Sequence, residues 1–403
     1  MAPVTFEVER TILVLLENRQ SANRVDDFLG MFEQDRRIQV VFALGRGSRF
    51  ERSAESYTRD LDGLLLEAEQ VECFEFDLAI AANNSHNSHL EKVRAPTLVI
   101  PHGVGFSKIV KAATGYGPPL VRPPVNDAVY SNLVRYGRVI PAAIGVSHEN
   151  HRAILANVVP ESLEVTHLVG DPCLDRALMS RPERERYRQA IGVGDGERLV
   201  LLSSSWGRRS LLGRHPGLLE QLMDDLPHDH VAAVNIHPGV WSAHGGRQVH
   251  AWLAGARRRG LRVLAESSPW LGLHVAADVV IGDHGSTTYV SSALGTPVLL
   301  ASGDLTYLAP GSPLEALHRY APVYEPTRPL MPQIEKAAES RDPQQASLFT
   351  SLLTSAPGQS AELLRGLVYR LMDLPEPVGA ASLPEVAVPR FVGGGAGEEV
   401  SVA

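Results

Sequence analysis

At 403 residues, 44% hydrophobic and 21% charged, the chain is a folded globular protein too long for one ordinary core, so two domains are expected. Its formal net charge of −8 argues against nucleic acid as a main partner and against general attraction to anionic lipid. No stretch approaches the roughly 18 apolar residues of a membrane helix, and the first residues lack a signal-peptide pattern. The two cysteines, Cys73 and Cys173, read as buried thiols, which fits a cytoplasmic location.

Short apolar runs alternate with longer mixed segments, the beat of parallel strands joined by helices. In the first half, strands are predicted at residues 11–16, 38–44, 76–82, 97–101, 143–146 and 165–169. Helices are predicted at 24–33, 53–69 and 148–157. Four prolines in residues 116–127 mark a loop or flap. A charged helix at 181–190 opens a second series, with strands at 199–203, 232–236, 262–264, 278–281 and 298–301 and helices at 331–339 and 362–372. The expected division is an N-terminal domain over 1–180, a C-terminal domain over 181–374 and a flexible Pro- and Gly-rich tail over 375–403.

Ligands of open α/β sheets bind beyond the carboxyl ends of strands, so polar residues there count most. Three places qualify. One strand runs into Pro101-His102-Gly103, where the glycine permits a tight turn and close backbone approach. Another ends in His237-Pro238. A third ends in Gly282-Asp283-His284-Gly285, after which Ser286, Thr287 and Thr288 open a helix. Open N–H groups, the helix dipole and the hydroxyls make that start an anion site, whereas simple capping accounts for one hydroxyl only. Each histidine read alone is an ordinary strand-end residue bonded to backbone. No GxGxxG turn follows the first strand, where Leu16-Glu17-Asn18-Arg19 stands instead. His148 and His151 read as a solvated helix face, and no grouping has metal-ligand spacing.

His102-Gly103, His237-Pro238, the Asp283–Ser286 segment and Trp206-Gly207-Arg208 together resemble spaced motifs of the CDP-glycerol glycerophosphotransferase family of teichoic acid polymerases. The resemblance spans residues 97–300. Val104-Gly105 stand where the family has Thr-Pro, and Lys108 lies one position later than the family's lysine, with Ser107 in its place. The resemblance implies an α/β chain of GT-B architecture, two Rossmann-like domains whose parallel sheets face across a cleft. It implies a transferase moving a glycerol-phosphate or glycosyl group from a CDP- or UDP-linked donor to an acceptor hydroxyl, with no further cofactor. His102 would be the general base and His237 would face the donor pyrophosphate. Gly103, Trp206, Arg208, Asp283, Gly285, Ser286 and Thr287 would bind the donor.

Two other readings fit parts of the pattern. Gly170-Asp171-Pro172 is similar to a turn of non-hydrolysing UDP-sugar 2-epimerases and other GT-B glycosyltransferases, but Tyr289, Val290, Ser291 and Ser292 offer no glutamate for the ribose. A catalytically silent nucleotide-binding scaffold is the other. The acceptor stays open, and a homo-oligomer is compatible with all three.

Overall fold

A computed structural model describes residues 7–16, 19–44, 63–82, 93–100, 103–108, 133–135, 137–340, 342, 344–393 and 399–400. The apolar runs form two parallel sheets. In the first, β1 (Arg10–Leu16), β2 (Ile38–Leu44), β3 (Leu65–Leu66), β4 (Leu78–Ala81) and β5 (Thr97–Val99) are followed by a small antiparallel pair, β6 (Val134–Arg135) and β7 (Arg138–Val139). β8 (Ala143–Val146) and β9 (Thr166–Leu168) complete a sheet ordered β3-β2-β1-β4-β5-β8-β9. Alternate residues of β1 serve its two faces. Ile12, Val14 and Leu16 join a core with Phe28, Phe32, Leu364 and Val368, whereas Leu13 and Leu15 join one with Val71, Phe76 and Val93. Burial on both faces explains why the strand reads as continuously apolar.

The second sheet has its own core. β10 (Arg198–Ser204), β11 (His230–Ile236), β12 (Arg262–Val263), β13 (Val279–Gly282) and β14 (Val298–Leu300) lie in the order β12-β11-β10-β13-β14, all parallel. Val200, Leu202, Val234 and Ile281 pack against Leu222, Leu253 and Ile334 of the flanking helices. Both sheets reverse their winding beside the first strand. That point lies between β1 and β4 in one and between β10 and β13 in the other, each a switch point where ligands bind.

The chain divides into residues 1–175 with 353–384, and residues 176–352 with 385–403. This differs from the expected boundary at 180 and from the flexible tail expected at 375–403. Leu383 is 7% exposed in the first unit's core. In the second unit Val386 is 3% exposed, its carbonyl accepting from the Tyr187 hydroxyl at 3.1 Å. Phe391–Val392 then pairs antiparallel with Glu399–Val400. Composition pointed to disorder, but buried apolar side chains and hydrogen bonds to its backbone anchor the segment.

Three further expectations change. Cys173 is buried, but Cys73 is exposed. The helix expected at 148–157 spans Glu149–Val158, yet His151 is only 3% exposed, so His148 and His151 do not share a solvated face. Ala68–Cys73 is helical where a helix over 53–69 was expected, and residues 53–62 lie outside the described residues. The proline loop at 116–127 lies outside them too. Among the described residues no helix is long and apolar enough to cross a membrane.

Candidate functional site

The site is built at the carboxyl ends of β11, β10 and β13. Register places Ser203 beside Asn235 on one side and Gly282 on the other. A Cβ at Gly282 would lie 2.4 Å from Thr288 Oγ1, so any side chain there would force Thr288 to move. The missing side chain lets the following helix, Ser286–Ala293, start hard against the strand end.

Asp283 holds this region together. Its carboxylate is 3% exposed. Oδ2 accepts from Ser205 N at 2.8 Å, Ser205 Oγ at 2.9 Å and Leu211 N at 2.7 Å, and Oδ1 accepts from Gly285 N at 2.9 Å. Four donors therefore carry one buried carboxylate and fasten the loop after β10 to the loop after β13. Such a carboxylate acts on a ligand by fixing the backbone around it.

Gly285 is the N-cap residue, in extended conformation and without a side-chain cap. Capping by Ser286 or Thr287 is therefore not what the hydroxyls do. Thr287 Oγ1 instead hydrogen-bonds Ser203 Oγ at 2.8 Å, tying the helix start to β10. Ser286 and Thr287 are both half-buried. The first-turn N–H groups and these hydroxyls give the dipole end an anion-binding character.

His237 caps the helix Pro238–His244, its Nδ1 accepting from Gly239 N at 2.9 Å. That bond places the proton of the neutral ring on Nε2. Its backbone N–H donates to Ser204 O at 3.0 Å, and the Trp206 ring stacks on it at 6.3 Å and 28°. Trp206 is 46% exposed and Arg208 is exposed. Trp206, Arg208, His237, Asp283, Gly285, Ser286 and Thr287 thus all lie at or just beyond the ends of these three neighbouring strands. Gly103 belongs to the first unit, in the left-handed region at φ +69°. His102 lies outside the described residues.

Sequence reasoning left His284, Tyr307 and His274 without a role. Beside Asp283, His284 Nε2 lies 3.3 Å from Ser205 Oγ and packs edge-on against Tyr307, over which Arg209 sits at 4.7 Å. Burial, then the charges of Asp304 and Asp283, push the Tyr307 hydroxyl up to about 12, so it remains a donor. Farther along the helix Ser286–Ala293 that begins at the site, His274 bridges Asn235 Nδ2 at 3.0 Å and Ser291 Oγ at 2.7 Å. Complete burial lowers its pKa to about 3, so the ring is neutral. A lone polar residue in the run Leu271–Ala276 gives no hint of partners 39 and 17 positions away.

In the first unit, Arg24 forks onto Asp171 at 3.1 and 2.9 Å, both side chains being buried. Burial opposes the Arg24 charge, but Asp171 outweighs it and raises its pKa. Gly170, Ser147 and Ile100 line a small pocket beside this pair, at the ends of β5, β8 and β9.

No family model and no curated protein matches the chain. Solved structures do. A histidine-to-asparagine form of the wall teichoic acid polymerase TagF, soaked with CDPG for 15 minutes, is 12% identical over 91% of this chain and 89% of that one, with a TM-score of 0.62. The fold is of the GT-B kind, as in these structures. TagF without such a soak gives 11% identity, coverage of 91% and 90%, and a TM-score of 0.58. MnaA of S. aureus, solved with UDP, is 13% identical over 92% of this chain and 100% of that one, with a TM-score of 0.50.

Proposed function

We propose that this chain is a GT-B transferase that moves a glycerol-phosphate or glycosyl group from a CDP- or UDP-linked donor to an acceptor hydroxyl. The observation that carries the reading is the helix start at Ser286–Thr287, set at the switch point and separated by β10 from the strand that runs into His237. In this reading the first-turn N–H groups, Ser286 and Thr287 hold the donor phosphates. His237 Nε2 donates a proton toward the pyrophosphate and stabilises charge on the leaving nucleotide. Trp206 and Arg208 flank the donor, while Asp283 and Gly285 fix the loops. His102 is assigned the general base, with Gly103 granting close approach. The likeness of fold to TagF, solved with CDPG, and to MnaA, solved with UDP, supports a nucleotide-linked donor. An epimerase is disfavoured because Tyr289, Val290, Ser291 and Ser292 are buried and none is an acid.

A thermal-shift screen tests the reading. CDP, UDP or a derivative linked through diphosphate should stabilise the protein by ~2.7 kcal/mol at a hundredfold excess over Kd. For a unit of this size that is a rise of roughly 5–10 °C. NAD should do nothing, because the GxGxxG turn is absent. Stabilisation by dinucleotides alone, or by no nucleotide, overturns the proposal. Stabilisation without turnover of any diphosphate-linked donor leaves a nucleotide-binding scaffold.

A further inference from the structure

Two of the elements assigned to the donor are not neighbours in their sheet. His237 follows β11, the helix Ser286–Ala293 follows β13, and β10 lies between those strands. No ladder hydrogen bond joins β11 to β13, yet one side chain reaches both sides of the gap.

That side chain is His274. It belongs to the helix Leu271–Ala276, every residue of which is buried, and is itself 0% exposed. Its Nε2 lies 3.0 Å from Asn235 Nδ2 on β11, and its Nδ1 lies 2.7 Å from Ser291 Oγ on the donor helix. An amide nitrogen can only donate, so Nε2 accepts, and the ring proton sits on Nδ1, which donates to Ser291. Trp270 packs edge-on against the ring at 4.9 Å. Asn235 stands two positions before His237, and Ser291 five positions after Ser286.

Other polar ties hold the same helix, but they run elsewhere. Thr287 bonds Ser203 of β10, and Ser292 Oγ accepts from Gln345 Nε2 at 2.9 Å. Packing alone does not call for a histidine at this position. A leucine would fill the space beside Leu271, Leu273 and Val275 without burying an imidazole, whose nitrogens are costly to bury unless paired. Here both nitrogens are paired, and each partner stands behind a group assigned to the donor.

We propose that His274 is a positioning residue for the donor diphosphate, an inference that rests on the assignment of His237 and Ser286–Thr287 to that donor. Through Asn235 it fixes the strand end from which His237 projects. Through Ser291 it fixes the helix whose first-turn N–H groups meet the phosphates. His274 itself touches no ligand. Hydrogen bonds to phosphate oxygens are short, so a shift of about 0.5 Å in either element weakens the grip.

Calorimetric titration of the full chain with CDP and UDP tests this, at one temperature well below every melting transition. His274→Leu keeps the volume and removes both bonds, and it should weaken the better-bound diphosphate roughly tenfold, as for one hydrogen bond to a charged group lost. Ser291→Ala should weaken it in the same direction. The double variant should bind no more weakly than His274→Leu alone, because the two residues act through one bridge. Leu253→Ala, a core change on a different helix of the same unit, should lower the melting temperature and leave affinity as in the parent. A folded His274→Leu that binds as tightly as the parent overturns the proposal. So does a double variant whose loss is the product of the two single losses, or a Leu253→Ala variant that loses as much affinity as His274→Leu. If His274→Leu does not fold, Ser291→Ala decides alone, and the parent's affinity in that variant overturns the proposal. A parent that binds neither CDP nor UDP overturns the donor reading first, and this inference with it.

Discussion

His237 carries two duties on one ring, and they can be separated. Its Nδ1 satisfies an orphan N–H at the start of the helix Pro238–His244, and the Nε2 proton is assigned to the donor. His237→Ala should therefore cost ~1 kcal/mol of stability through the lost cap. It should also weaken CDP or UDP binding roughly tenfold to a hundredfold, the worth of a hydrogen bond to a charged group. His237→Asn keeps a capping acceptor, so it should restore most of the stability without restoring the parent's affinity. Melting curves and titrations on the two variants check this, and affinity unchanged in both would make His237 a cap and nothing more. The histidine was legible because a strand end and a following proline mark it. Asp283 was legible as a strand-end acid, but its direction was not. Four donors turn it inward, and three of them, two from Ser205 and one from Leu211, lie more than 70 positions away.

At the scale of elements, strands buried on both faces announced themselves, and β2 and β8 have the bounds their apolar runs predict. The C-terminal segment did not, because its prolines and glycines mask apolar residues that recur too sparsely for any period. It is nonetheless built in. Pro384 lies 3.1 Å from where a Cβ on Gly30 would be, and Pro389 and the Ala387 carbonyl each lie 3.2 Å from one on Gly272. Arg390 N donates to Ser268 Oγ at 2.8 Å. Truncation after Leu374 removes Leu383 from one core and Val386 from the other, each worth ~1.5–3 kcal/mol on burial. Both units should melt earlier as a result. Leu383→Ala should lower only the first unit's transition and Val386→Ala only the second's. A truncated chain with the parent's melting curve would show that the segment contributes nothing.

The chain as a whole crosses between its units at residues 175/176, 352/353 and 384/385, so neither folds from one continuous stretch. Single-sequence reading put one boundary near 180 because helix and strand periods carry no mark of where a late helix returns. The units also share a vulnerability to acid. Burial lowers the pKa of His151 in the first unit to about 4 and that of His274 in the second to about 3. An unfolded histidine titrates near 6.5, so between about pH 4 and 6.5 the unfolded chain binds a proton at each position that the folded chain does not. Stability therefore rises with pH across that window and is lost as pH falls, by up to ~1.4 kcal/mol per pH unit for each histidine. In the first unit Asp175 works the other way. Burial raises its pKa, so folding is favoured by its protonation as pH falls. The second unit has no such offset at Asp278, whose pKa is lowered: burial opposes that shift, but the Leu199 N–H and Arg188 outweigh it. Through His274 the second unit should thus lose melting temperature as pH falls from 6.5 to 4.5. His274→Gln, which removes the proton site but keeps an amide able to bond Ser291, should flatten that slope by close to one proton. If proton uptake on unfolding in this window is the same in parent and variant, His274 is not the group that makes the second unit acid-sensitive.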